Sequence, residues 1–330
     1  MTDLAVRELK QADWDQWDQW LTSQPWGSPF SSAWWLEATC RAFGGRPLLL
    51  GAFRGDRLVG GVSLRIADMT FVHVVRPSML YNPVVLGAAS PRAGQEVLAA
   101  LLEDIANRRL IVRPLKCTAD TVDLREAVWC LWDLAASWTV VSELDTWENR
   151  QGVSRKVLQQ ARKAERAGIV TRVEPLDVDV LYDLVRATIL RHGHETTLTK
   201  GQLRILTEAA GTNGFQTVTR DSGGNPLGAG FAMALGGSVA YDVWAGTSAK
   251  GLETDAAAQR YVFLLGELRT RGYEYFDWCD ASHPGYSDFK LKFGGTLKTC
   301  LAIGHEPKWL KMLVPLHARL SKLTHHPKEQ

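Results

Sequence analysis

The stretch Tyr273-Glu274-Tyr275-Phe276-Asp277-Trp278-Cys279-Asp280, followed by a polar turn and by Phe289-Lys290-Leu291-Lys292-Phe293-Gly294-Gly295, decides how this chain is read. The first run predicts an apolar strand that ends in acids. The second predicts a short helix carrying Lys290 between Phe289 and Phe293 and stopped by Gly294-Gly295. Such a strand, turn and helix can aim a buried cation at a cleft. A plainer reading is also open: an Asp that forms a turn and a Lys that sits in water.

Outward from this segment the chain repeats itself. Residues 48–61 and 216–230 both read as a strand, a Gly-containing hairpin turn and a strand with a late Gly. In each half a helix follows, Gln95–Asn107 and Thr254–Thr270, and then a strand, Leu110–Cys117 and Tyr273–Cys279. Two copies of a mixed unit of about 150 residues suit a chain with room for about two cores. The expected architecture is α/β: a unit over 1–145, a second over 150–305 that carries the active site, and a C-terminal piece, 306–330, packing back on the first. Each unit is expected to have a mixed sheet of its own flanked by helices.

Composition narrows the function classes. Of 330 residues 45% are hydrophobic and 22% charged, and Lys+Arg 38 against Asp+Glu 36 gives a formal charge of +2. No run approaches the ~18 apolar residues that cross a bilayer, and Met1-Thr2-Asp3-Leu4 lacks a basic region before an apolar core, so a cytoplasmic protein is expected. The cysteines, Cys40, Cys117, Cys130, Cys279 and Cys300, are odd in number and scattered, which suits reduced thiols. No Cys-x-x-Cys or His-x-x-x-His pair is present, and no metal is expected.

Trp14, Trp17 and Trp20 fall near one face of a helix beginning after Asp13, either a buried face or an aromatic platform. A turn at Gly27-Ser28-Pro29, with capping serines, opens a helix through Phe43. Ser137–Leu144 reads as a strand and Asp145–Gln151 as a polar connector. The helix from about Ser154 to Ala167, stopped by Gly168, places Arg155, Arg162 and Arg166 on one stripe with Lys156 and Lys163 beside it. Val157, Leu158, Ala161 and Ala164 form its apolar face. The stripe is either a solvated surface or a site for anions, where guanidiniums grip phosphate bidentately.

Three of these segments resemble the FemABX-like branch of the GNAT-fold acyltransferases, which are built as tandem GNAT (acyl-CoA N-acyltransferase) units. They are Phe289-Lys290-x-x-Phe293-Gly294, the Phe30-x-Ser32-x-x-Trp35 element, and Ser154 with Arg162-Lys163-Ala164-x-Arg166-x-Gly168. Members that grip a nucleotide-linked muropeptide have a Lys shortly after the Trp, where this chain has Ala38 and Thr39. The resemblance implies that an amine attacks an activated acyl carbonyl, with a cation at the oxyanion and a group to orient the amine or take its proton. By that implication the catalytic set is Lys290, Asp277, Asp280 and Tyr286, with His283 as a further substitute. Arg162, Lys163, Arg166 and Arg155 bind phosphate of donor or acceptor. Tyr241 and Asp242, with Phe289 and Phe293, line the acyl region, and His192 and His194 mark an acceptor loop.

The donor is read from what the turn lacks. A CoA-binding GNAT turn has a Gly-x-Gly cradle at a helix N-terminus, whereas Gly246-Thr247-Ser248-Ala249-Lys250-Gly251 offers a turn and a Lys only. The resemblance then implies aminoacyl-tRNA as co-substrate, with no bound cofactor, and an amine acceptor such as a peptidoglycan precursor or specialised-metabolite peptide. The alternative is an acyl-CoA-dependent N-acyltransferase acting on a polysaccharide- or metabolite-linked amine. A nucleic-acid-binding protein or an inactive scaffold is the non-enzyme alternative. The basic, amphipathic run Lys308–Leu320 is expected to dock on the first unit or to touch an anionic membrane peripherally, and Thr324–Gln330 to be disordered.

Overall fold

The computed structural model describes residues 4–306 except 25–26, 71, 88–89, 120–122, 197 and 283. The expectations for Lys308–Leu320 and Thr324–Gln330 lie outside the described residues. The first half runs β1 (Leu4–Glu8), α1 (Trp14–Thr22), α2 (Ala33–Phe43), β2 (Arg46–Arg54), β3 (Arg57–Asp68), β4 (His73–Arg76) and β5 (Val85–Leu86). It continues through α3 (Pro91–Asn107), β6 (Ile111–Lys116), α4 (Arg125–Trp129) and β7 (Asp133–Glu143). Two helices, α5 (Leu144–Glu148) and α6 (Arg155–Arg166), lead into β8 (Val170–Glu174), α7 (Val178–Arg191), α8 (Lys200–Ala210), β9 (Gly214–Arg220), β10 (Pro226–Ala234) and β11 (Val239–Thr247). The described chain closes with α9 (Ala249–Glu253), α10 (Ala256–Thr270), β12 (Tyr275–Asp277), α11 (Pro284–Leu291) and β13 (Thr296–His305).

All of these strands join one sheet, in the order β1-β2-β3-β4-β6-β13-β7-β12-β11-β10-β9-β8, with β5 pairing β3 off this path. The expectation of a separate sheet in each half is therefore corrected. The cause is an exchange of final strands: β13 lies beside β6 of the first half, and β7 beside β12 of the second. The exchanged strands pair with each other, antiparallel, from Thr296↔Val141 to Gly304↔Asp133. Inward from either edge the halves repeat, β1-β2-β3-β4-β6 matching β8-β9-β10-β11-β12. Within that repeat β4/β6 and β11/β12 are parallel, and each parallel pair is bridged by a helix, α3 or α10, as a crossover requires. The repeat in the sequence becomes a near-symmetry about the β7/β13 pair.

Helices cover both faces. Alternation along β13 sends Ile303 into the cluster under α3 and Cys300 into the cluster that α2, α7 and α8 share. Val140 of β7 packs with Leu264, Leu265 and Leu268 of α10, so α10 shares the face of α3. The Trp helix is a core element: Trp17 is fully buried and its indole N–H donates to Ser31 O at 2.9 Å. Ser32 caps α2 by accepting from Trp35 N, and Gly168, at φ 78°, follows the end of α6. The expected connector Asp145–Gln151 is instead mostly helical, because Leu144 and Trp147 are apolar enough to be buried and pull α5 against α10.

One glycine sets how closely α7 approaches β11. A Cβ on Gly246 would fall on the backbone of Leu184 and Val185, which cannot move without shifting the helix. Gly246→Ala is expected to cost about 1–3 kcal/mol, the range for overpacking. Urea titration measures it, and an unchanged midpoint would mean that α7 yields freely.

Candidate active site

The two strands that frame the site part company after a short pairing. β11 and β12 are in register at Val239↔Tyr275, Ala240↔Phe276 and Tyr241↔Asp277. Beyond that, β11 runs on to Thr247, while the chain after Asp277 follows β7: Trp278 N donates to Val140 O and Ala281 N to Trp138 O, both at 3.0 Å. At the same level the register with β10 steps from Phe231↔Trp244 to Ala232↔Asp242, leaving Val243 as a bulge. An opening between two strands of a sheet results, and successive residues of β11 face its opposite sides.

On the Tyr241 side lies a buried carboxylate. Asp277, 2% exposed, accepts from Tyr81 Oη at 3.0 Å, Thr139 Oγ1 at 2.5 Å and Cys279 N at 2.7 Å. Burial pushes its carboxyl above the ordinary range, against these hydrogen bonds. Tyr81 and Tyr241 both pack edge-on against Phe30, at 5.4 and 5.2 Å between centroids. Lys116, at the end of β6, reaches in from the first half: its Nζ donates to Cys279 O at 3.3 Å and lies 4.9 Å from the Tyr81 ring centroid.

On the Asp242 side lies Lys290. Its Nζ donates to Trp278 O at 2.8 Å and also to Asp280 O. Phe289 and Phe293 flank it and pack on Tyr261 at 5.6 and 5.5 Å, while Trp278 packs on Phe293 at 5.3 Å. The Phe-Lys-x-x-Phe segment is thus an aromatic clamp that fixes the stem of an ammonium. The carbonyls of Trp278, Cys279 and Asp280 each receive a lysine N–H, from Lys290 or Lys116, around a Cys279 held at φ 66°. An ammonium has three donors, and Lys290 spends two on carbonyls. Among the described residues no acceptor takes the third.

Asp280 and Tyr286 stand nearer the rim. Burial would raise the Asp280 carboxyl, but hydrogen bonds from Ser282 and the ammoniums of Lys290 and Lys116 together bring it below its ordinary value. Tyr286, its phenol raised by burial, packs edge-on against His192 at 5.0 Å, at the end of α7. Arg191 there donates to Thr247 O at 2.9 Å. His194 is exposed, and His283 lies outside the described residues. The structure therefore gathers Lys290, Asp280, Asp242, Phe289 and Phe293, with Tyr286 at the edge, and sets Asp277 and Tyr241 on the other face. Lys116, Tyr81 and Thr139 were not singled out from the sequence. Pairing Leu110–Cys117 with Tyr273–Cys279 places Lys116 at the matching strand end, the one signal that could have found it.

The basic stripe starts at this site. Ser154 N donates to Lys292 O at 2.8 Å, and Val153 bridges Phe293, so α6 begins against the lysine segment. Arg155, Lys156, Arg162, Lys163 and Arg166 are exposed, and Arg162 and Arg166 line a groove with Gln159 and Glu165. Lys163 is tied down at 3.2 Å by Asp255, the residue at the head of α10, whose other oxygen accepts from Gln160 at 2.8 Å. Among the described residues no His, Cys, Asp and Glu cluster forms a metal site, and no helix is long and apolar enough to cross a membrane.

These features define a tandem GNAT fold. Solved structures similar to it include FemX, with a TM-score of 0.69 at 13% identity over 94% of this chain and 99% of that one. A domain from Agrobacterium fabrum described as the C-terminal part of a lysylphosphatidylglycerol synthetase gives 0.57 at 12%, covering 88% and 92%. A tandem GNAT protein from the clavulanic acid biosynthesis pathway gives 0.51 at 12%, covering 92% and 98%. No family model and no curated protein matches the sequence. At such identities the likeness is one of fold: the chain is a FemX-like GNAT-fold protein.

Proposed function

We propose that this chain is an acyltransferase that moves an aminoacyl group from aminoacyl-tRNA to an amine, in a peptidoglycan precursor or a specialised-metabolite peptide. The observation that carries the reading is Lys290: an ammonium pinned by two carbonyls at the parting of β11 and β12, with one N–H unspent. The acceptor nitrogen attacks the ester carbonyl, the oxyanion that forms is held by that N–H, and collapse breaks the ester bond to release the tRNA hydroxyl. The proton lost by the amine goes to the leaving oxygen or to solvent.

The turn after β11 supports tRNA over CoA. A pyrophosphate cradle needs bare amides at a helix N-terminus. Here the amides of Ser248, Gly251, Leu252, Thr254 and Asp255 are already bonded, to Leu227 O, Ser248 Oγ, Ser248 O, Lys250 O and Leu252 O, which leaves the first-turn amides of α10, Ala256 to Ala258, to meet an anion. The Asp255 carboxylate also sits at the head of α10, where an anion would dock.

The test is intact-mass analysis of an amine pool after adding charged tRNA or acyl-CoA separately. Product that disappears on RNase treatment is expected, and turnover with acyl-CoA alone would overturn the donor. In the same assay Arg162→Glu is expected to raise the KM for charged tRNA about 10–100-fold, with the melting temperature unchanged because the side chain is exposed on α6. Equal losses of binding and stability would make the stripe merely structural.

A further inference from the structure

Asp242 carries a carboxyl oxygen without a hydrogen-bond partner among the described residues. It is 8% exposed and follows Tyr241, the last residue of β11 paired to β12, so it faces the opening from the Lys290 side. Its Oδ2 accepts from Tyr261 Oη at 2.6 Å, while Oδ1 is buried and accepts nothing among the described residues. Leaving a buried acceptor unmet costs about 1–3 kcal/mol, more when it is charged. Such an atom points to a ligand with a donor.

A buried cation on α10 makes no hydrogen bond to it. Arg260 is 1% exposed under α10, its guanidinium 3.9 Å from the Tyr261 ring centroid and 3.5 Å from Thr217 Oγ1. It occupies the space that Gly230 leaves by having no side chain: a Cβ there would collide with Arg260 Nη1. Arg260 therefore eases the field at Asp242 without bonding to it. What remains is an unpartnered acceptor oxygen, on a carboxyl that burial pushes up and the Arg260 charge pulls back, on the same side of the opening as a positive N–H on Lys290. An aminoacyl ester presents the matching pair, a carbonyl oxygen and, one carbon away, an α-ammonium.

We infer that Asp242 receives the α-ammonium of the donor, so that a free α-amino group is what admits an acyl group to this site. The inference rests on the aminoacyl-transfer reading and specifies its substrate class. A plain acyl group, or an aminoacyl group blocked on nitrogen, leaves Oδ1 unmet and gains nothing from it. The Tyr261 hydroxyl is the positioning group, fixing the carboxylate through its other oxygen.

Mixed tRNA charged with a full set of amino acids, and the same tRNA after N-acetylation, are the probes, read by transfer to the amine pool. The native protein is expected to use the free aminoacyl donor about 10–100-fold better, the worth of one charge-assisted hydrogen bond. Asp242→Asn is expected to erase the preference by slowing only the unblocked donor, with its melting curve recorded alongside. Equal use of both donors by the native protein would overturn the inference whatever the variant does. So would a variant that slows both donors alike. Absence of transfer from either charged tRNA would instead overturn the aminoacyl-transfer reading itself.

Discussion

Lys290→Met is expected to lower kcat by about 10²–10³, the usual cost of removing one oxyanion donor, while moving KM much less. Methionine preserves the length that Phe289 and Phe293 enclose and removes only the charge, whose interaction strengthens as the carbonyl oxygen becomes an oxyanion. The change also strips N–H donors from Trp278 O and Asp280 O, so some loss of stability must accompany it. Rate and melting temperature therefore have to be measured on the same preparation. Lys292→Met is the control: its side chain is exposed, and its backbone serves the structure, the N–H donating to Phe289 O and the oxygen accepting from Ser154 N. A Lys290→Met protein with near-native turnover would reduce the segment to packing and move the search for the catalytic charge to Lys116 or Arg162.

Asp277→Ala is expected to be the most destabilising single change near the site, by about 3–5 kcal/mol. The carboxylate gathers Tyr81 and Thr139 of the first half and the amide of Cys279 of the second into one buried knot. Removing it leaves the Cys279 amide without an acceptor and Tyr81 and Thr139 with only long bonds, to Cys279 O at 3.4 Å and Val140 O at 3.5 Å, and each donor left unmet costs about 1–3 kcal/mol. Urea denaturation of Asp277→Ala beside Asp277→Asn separates charge from hydrogen bonding, since the amide oxygen can still accept from Thr139 and Cys279. A loss below about 1 kcal/mol in the alanine variant would show that water replaces the carboxylate without penalty. A rate defect with full stability would instead place Asp277 in the chemistry.

Local patterns carried most of the elements. The cationic face of α6, the Ser32 cap and the hairpin β9–β10 are written in spacings of a few residues, and so is Lys290 between its phenylalanines. What the sequence did not expose depends on partners far apart in the chain. Tyr81 meets Asp277, and Lys116 meets Cys279, only because β13 and β7 cross the middle of the sheet. Nothing in the alternation of β7 says which neighbour it takes, since its apolar residues suit either side. For the same reason Asp277 and Lys290, close in sequence, could not be assigned to opposite faces without coordinates.

The crossing of β7 and β13 also sets a timetable for synthesis. A nascent chain that has delivered β6 has a strand whose inner edge stays open until β13, residues 296–305, leaves the ribosome. That edge is among the last pairings made, and it closes the largest loop in the sheet, the slowest kind of contact to form. The first half therefore cannot complete its own core as it is made, and the two halves become one cooperative body only once residues 296–305 have been added.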